Sequence, residues 1–159
     1  MPTQPNITNS SLKLVSQVFG DSAQIPSQYT CKGQNINPPL SIMGLPAGVK
    51  SLALIMHDPD AVSGDFVHWL MWDIPTSTET IGVNSVPPGA IQGQNGSGKN
   101  QYMGPCPPAG TGIHHYLFEL YALDKTLGLP ASTSRDQLQK AMADHILAQH
   151  ILTGLFSAD

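Results

Sequence analysis

Leu52-Ala-Leu-Ile-Met-His57-Asp58-Pro59-Asp60-Ala61 is followed, after a short Gly-containing break, by Phe66-Val-His68-Trp69-Leu-Met-Trp72-Asp73-Ile74-Pro75. Two apolar runs of strand length are joined by a turn that carries ionisable groups. Runs this apolar suit strands buried on both faces. Buried polar groups are costly without partners. His57, Asp58, Asp60, His68 and Asp73 therefore each require a structural or chemical reason to be there.

The surrounding composition points the same way. The chain has 159 residues, of which 15 are glycine, 14 are proline and only 11% are charged. A length of this order predicts one domain, 1–159, with a core that needs neither metal nor disulfide. Many short apolar runs separated by turn formers predict a mainly β fold. The net charge of -4 is mild, and the seven Lys and Arg residues are scattered, so no nucleic-acid-binding stripe is present. No run reaches the about 18 apolar residues of a membrane helix. No basic segment precedes an apolar one at the N-terminus, so a signal peptide is not expected and the predicted location is cytoplasmic. In that compartment the two cysteines, Cys31 and Cys106, are expected to be reduced thiols. The three Asn-x-Ser/Thr matches, at Asn6, Asn9 and Asn95, then carry no glycan.

Outward from the central pair, residues 1–10 read as a loose polar arm. Leu12 and Leu14 alternate with Lys13 and Val15, which predicts a half-buried strand. Leu40 to Met43 is a short strand, and His114 to Leu123 is a long one. The 75–113 segment is irregular and rich in proline and glycine, a pattern that more often serves function than simple connection. Ser134-x-x-Gln137 resembles a capping box, and the spacing of Leu138, Ala141, Met142, His145 and Ile146 predicts a helix over about 134–148. Ile151 to Ser157 then returns as a short strand.

Two apparent motifs do not hold. Gly93 to Asn100 nearly fits a phosphate loop, but Asn100 stands where Ser or Thr must, and prolines flank it where a strand and a helix belong. His145 and His150 are five apart, share no helix face, and read as structural or surface residues. No Gly-x-Ser-x-Gly elbow is present.

The remaining groups converge. Residues two apart on a strand share a face. His68 then lies with Phe66, Leu70 and Trp72, while His114 and Tyr116 form the polar end of a face shared with Phe118 and Leu120. Asp58 and Asp60 sit just past the end of their strand. Neighbouring strands would bring two imidazoles, a phenol and one or two carboxylates to one rim. The alternative is a set of core histidines, each satisfied by a nearby Asp or carbonyl. Spacing alone leaves both readings open.

Asp58-Pro-Asp60-Ala61 with Val67-His68-Trp69, and Gly104-Pro-Cys-Pro107-Pro108 leading to His114-His115-Tyr116, resemble the signature regions of the phosphatidylethanolamine-binding protein family, also called Raf kinase inhibitor-like proteins. Tyr29 to Gly33, Asn37 to Leu40 and a helix over Leu138 to Leu155 add further matches, and the bacterial and archaeal branch is the nearer one. The resemblance spans roughly 11–157. It implies an antiparallel β-sandwich with a C-terminal α-helix and a small cavity for phosphate-like head groups. It places Asp58, Asp60, His68, His114 and Tyr116 at that cavity, with Pro107 and Pro108 as wall and Gly104 and Cys106 offering backbone N–H groups. His115 stands where Arg is common in the family. The implied role is that of a regulatory or inhibitory module without turnover, without catalytic residues, metal or cofactor. Its partners would be a small phosphate-like anion and, by analogy, a kinase or protease, with a homodimer as the assembly. The competing reading is a phosphoester-acting enzyme that uses the His/Asp set, for which the sequence offers no activated nucleophile.

Overall fold

The structure is a computed structural model that describes residues 11–159, so the expected N-terminal arm lies outside the described residues. In chain order the strands are β1 (Lys13–Val15), β2 (Ala23–Gln24), β3 (Leu40–Met43), β4 (Ser51–Asp58), β5 (Phe66–Ile74), β6 (Thr80–Ile81), β7 (Ile91–Gln92), β8 (His114–Leu123) and β9 (Ile146–Phe156), with α1 (Arg135–Met142) before the last. They form a small sheet, β1-β3-β6, and a large one, β2-β9-β8-β4-β5-β7, antiparallel except where β2 meets β9. No helix among the described residues is long and apolar enough to cross a membrane.

The continuous hydrophobicity of β4 now has a cause. Leu52, Leu54 and Met56 face the small sheet and pack with Leu14, Ile42 and Ile81. Ala53 and Ile55 face the other way and pack under Leu138 and Met142 of α1. Both faces of the central strands are therefore covered, and every residue of β4 is buried. Burying each large side chain contributes roughly 1.5–3 kcal/mol.

The β4–β5 ladder is not regular. Met56 pairs with Trp69 but His57 pairs with Val67, so His68 is the extra residue of a bulge. This corrects the expected face. Leu70 and Trp72 turn toward α1, and His68 stays on the sandwich side, with its ring 5.0 Å from Phe66 and 5.2 Å from Tyr116 between centroids. A second irregularity, between Leu52 and Leu54, leaves Asp73 at a φ of 53°. Its carboxylate accepts from the Leu127 and Gly128 N–H groups at 2.7 and 2.9 Å, which accounts for this buried-strand acid as a loop anchor.

Two expectations fail at the C-terminal end. The capping box is present, with Ser134 and Gln137 bonded reciprocally, but the helix stops at Met142. From Ile146 the chain pairs with β8 along its whole length, so neither a helix to 148 nor one over Leu138 to Leu155 exists. Apolar spacing in this stretch suits either structure, and the open edge of β8 decides between them.

The cysteines are also not free thiols: Cys31 and Cys106 form a disulfide. The 3-10 turn Ser27–Tyr29 and the Pro105 loop bring their backbones together, Cys31 N–H donating to the Pro105 carbonyl at 3.1 Å. The Cα atoms are 5.4 Å apart, within bridging range.

Candidate anion site

The ends of β4 and β8, the bulge of β5 and the 103–108 loop enclose a cavity of about 330 Å³. Seven of the residues expected from sequence line it: Asp58, His68, Cys106, Pro107, Pro108, His114 and Tyr116. Two do not. Asp60 sits outside, where its carboxylate accepts from the backbone N–H and ring Nδ1 of His115, and these bonds hold its pKa low. Gly104 N–H is already donated to Asn35 Oδ1 at 2.8 Å. Sequence reasoning missed Met103 as lining, and it placed Phe66 beside His68 without giving it a role at the site. The bulge that aims both Phe66 and His68 inward left no signal in the apolar pattern.

Each polar group has a defined state. Asp58 is 3% exposed; one oxygen meets His114 Nδ1 at 2.7 Å and the other accepts the Asp60 N–H at 2.8 Å. The far nitrogen of His114 lies 2.9 Å from Thr111 Oγ1, whose hydroxyl also reaches the Pro108 carbonyl at 2.6 Å. Both ring nitrogens of His114 are thus engaged. His68 Nδ1 lies 2.6 Å from the Met103 carbonyl, which can only accept, so the proton sits on Nδ1. Burial lowers the His68 pKa and outweighs the nearby carbonyls and Asp58, leaving Nε2 as a lone pair at neutral pH. Tyr116 is fully buried and its hydroxyl has no partner among the described residues. Burial first, then the charges of Asp58 and Asp60, push its pKa up, so it remains an O–H donor. Cys106 N–H likewise has no partner among the described residues.

His57, adjacent in sequence to Asp58, belongs to the opposite face. Its two nitrogens meet Asp65 and Glu119, each at 2.7 Å, and Arg135 at the start of α1 holds the other oxygen of Asp65 at 2.8 Å. This chain of charges fastens the end of the 59–65 turn, whose Ala61 to Ser63 segment lines the cavity. Burial works against a charged His57, but the bonds to Glu119 and Asp65 outweigh it and raise its pKa above 6.5. A raised folded-state pKa gives stability that is complete below the unfolded value and lost as pH climbs through the folded one. Urea unfolding across pH should therefore show wild-type stability declining from about pH 6.5 upward, and His57→Gln should remove that decline. An identical slope in the variant would exclude the network as its source.

Fold and site together define a two-sheet β protein with an acid–imidazole–phenol cavity at one end. The chain belongs to the phosphatidylethanolamine-binding protein family, whose description matches residues 15–157. It is 50% identical over 152 residues to a UPF0098 protein of Pyrococcus horikoshii, covering 92% of this chain and 76% of that one. It is 42% identical over 154 residues to LppC of Mycobacterium tuberculosis, named as a proposed lipoprotein, covering 97% and 76% of the two chains. Among solved structures, the homologue CT736 of Chlamydia trachomatis superposes with a TM-score of 0.89 at 35% identity, covering 96% of this chain and all of that one. YbcL of Escherichia coli gives 0.88 at 26% identity, covering 94% of this chain and 100% of that one.

Proposed function

We propose that the cavity binds a small phosphate-like anion and that the chain acts as a binding module without turnover. The observation that carries this reading is the Tyr116 hydroxyl, a fully buried donor with no partner among the described residues, on the cavity wall beside His68. A buried donor left unmade costs about 1–3 kcal/mol. An anion oxygen that accepts from Tyr116 recovers that cost. Cys106 N–H supplies a second donor, and Phe66, Met103 and the prolines supply an apolar wall.

His68 supplies the proton link. Its Nε2 is a lone pair in the free protein, so an anion oxygen can approach it only with a shared proton between them. That proton is the phosphate monoanion's own where this form is present and comes from solvent where the dianion binds, so the complex holds one proton more than the free protein and the dianion. His114 is held by Asp58 and Thr111 on both nitrogens, so its part is to fix Asp58 and the proline wall.

Phosphate titration by calorimetry tests this. Affinity should rise as pH falls from about 8.5 to about 5.5, by up to tenfold per pH unit near the transition. Tyr116→Phe should weaken binding about tenfold at every pH, and His68→Gln should flatten the pH dependence. Equal affinity at both ends of the range in the wild type would contradict the proton link. Undiminished binding by Tyr116→Phe would contradict the site.

The location this reading favours is not the cytoplasm. The Cys31–Cys106 disulfide and the name of the mycobacterial relative both favour an oxidising compartment.

A further inference from the structure

Met103 lines the anion cavity, while its neighbours Gln101 and Tyr102 line a second one of about 270 Å³. Among the described residues no charged side chain contributes to that second cavity, and carboxamides dominate its wall. Some of them are occupied. Asn37 donates to the Pro38 and Gly82 carbonyls and accepts from Ser85 N–H, and the Tyr102 hydroxyl is donated to the Tyr29 carbonyl.

Asn35 and Gln92 are different. Gln92 Oε1 lies 2.7 Å from Trp69 Nε1, and Asn35 Oδ1 lies 2.8 Å from Gly104 N. An indole N–H and a backbone N–H can only donate, so each amide must present its oxygen to the protein. Each NH₂ group is then fixed in place and has no partner among the described residues. Two oriented neutral donors share one cavity, and Gln101 and Asn84 add amides whose side chains are uncommitted among the described residues.

We propose that this second cavity binds a neutral saccharide through one sugar ring. Asn35, Asn84 and Gln101 are exposed at its rim, and no Lys, Arg or His among the described residues lines it to match an anion's charge. Ring hydroxyls accept from the fixed NH₂ groups of Asn35 and Gln92 and donate to the amide oxygens of Gln101 and Asn84. A volume near the lower end of small-molecule sites suits a single ring. Because the free amide orientation is already set, binding loses little side-chain entropy there.

The test is NMR of the side-chain NH₂ resonances during titration with methyl glycosides of glucose, galactose, mannose and N-acetylglucosamine. At least one should shift the Asn35 and Gln92 signals together, with saturation. Asn35→Asp and Gln92→Glu keep the oxygen that Gly104 and Trp69 require and remove the donor. Each should weaken that sugar roughly tenfold or more while leaving phosphate binding at the other cavity intact. Gln101→Ala, at an exposed position, should also weaken it. No saturable shift with any of the four sugars overturns the proposal. So does a response confined to other residues, unchanged affinity in both acidic variants, or an equal response to acetate.

Discussion

Replacing Cys31 and Cys106 by serine is expected to lower the unfolding free energy by about 4 kcal/mol. The size follows from the 75-residue separation that the bridge closes, because a long loop loses much chain entropy when its ends are joined. The bridge also ties the Cys106 loop, which lines the cavity, to the segment that follows the 3-10 turn Ser27–Tyr29. Cys106 lines the cavity beside Pro107 and Pro108, and both half-cystines are exposed enough for a reductant to reach. Reduction should therefore cost phosphate affinity as well as stability. Denaturant unfolding and phosphate titration, with and without reductant, measure both. A loss below about 1 kcal/mol would mean that the surrounding loops hold their positions without the bond.

Asp58→Ala carries the second large expectation, a loss of about 3 kcal/mol or more. Asp58 and His114 are 3% and 2% exposed, and the carboxylate satisfies both the imidazole and the Asp60 N–H. Removing it leaves the buried His114 Nδ1 and the part-buried Asp60 N–H without their acceptor. The loss should be strongly coupled to His114: in a double-mutant cycle with His114→Ala, the second change should cost much less once the first is made. Additive effects would show that the two side chains contribute independently.

Much of the architecture could be read from the chain. The strands Leu40–Met43 and His114–Leu123 fall where alternation and apolar runs put them, and the two apolar runs of the central stretch form the paired strands β4 and β5. The alternation on β8 correctly separates His114, Tyr116 and Phe118 from His115 and Glu119. What failed depends on long-range geometry. The bulge at His68 changes the face of everything after it, and nothing in Phe66-Val-His68-Trp69 announces an extra residue. The stretch after Met142 is apolar at spacings that suit a helix, and only the free edge of β8 makes it a strand. The disulfide joins positions 75 apart whose spacing is silent, because proximity is created by the intervening sheet. Thr111, which seals the second nitrogen of His114, sits in a Gly-rich loop with no pattern of its own. The sequence did place seven lining residues at one cavity, through motifs of a known family. It did not reveal that both ring nitrogens of His114 are engaged, nor that the Tyr116 hydroxyl has no partner among the described residues.

The most direct measurement is the ¹⁵N NMR signature of the His68 ring in the whole 159-residue chain at neutral pH, before and after saturation with inorganic phosphate. The free protein should show the neutral ring with its proton on Nδ1, and the saturated protein should show Nε2 protonated or in a strong shared hydrogen bond, with proton uptake in proportion to the share of phosphate that binds as the dianion. An unchanged His68 ring in a protein that binds phosphate would place the anion elsewhere, and a protein that binds none would contradict the anion site itself.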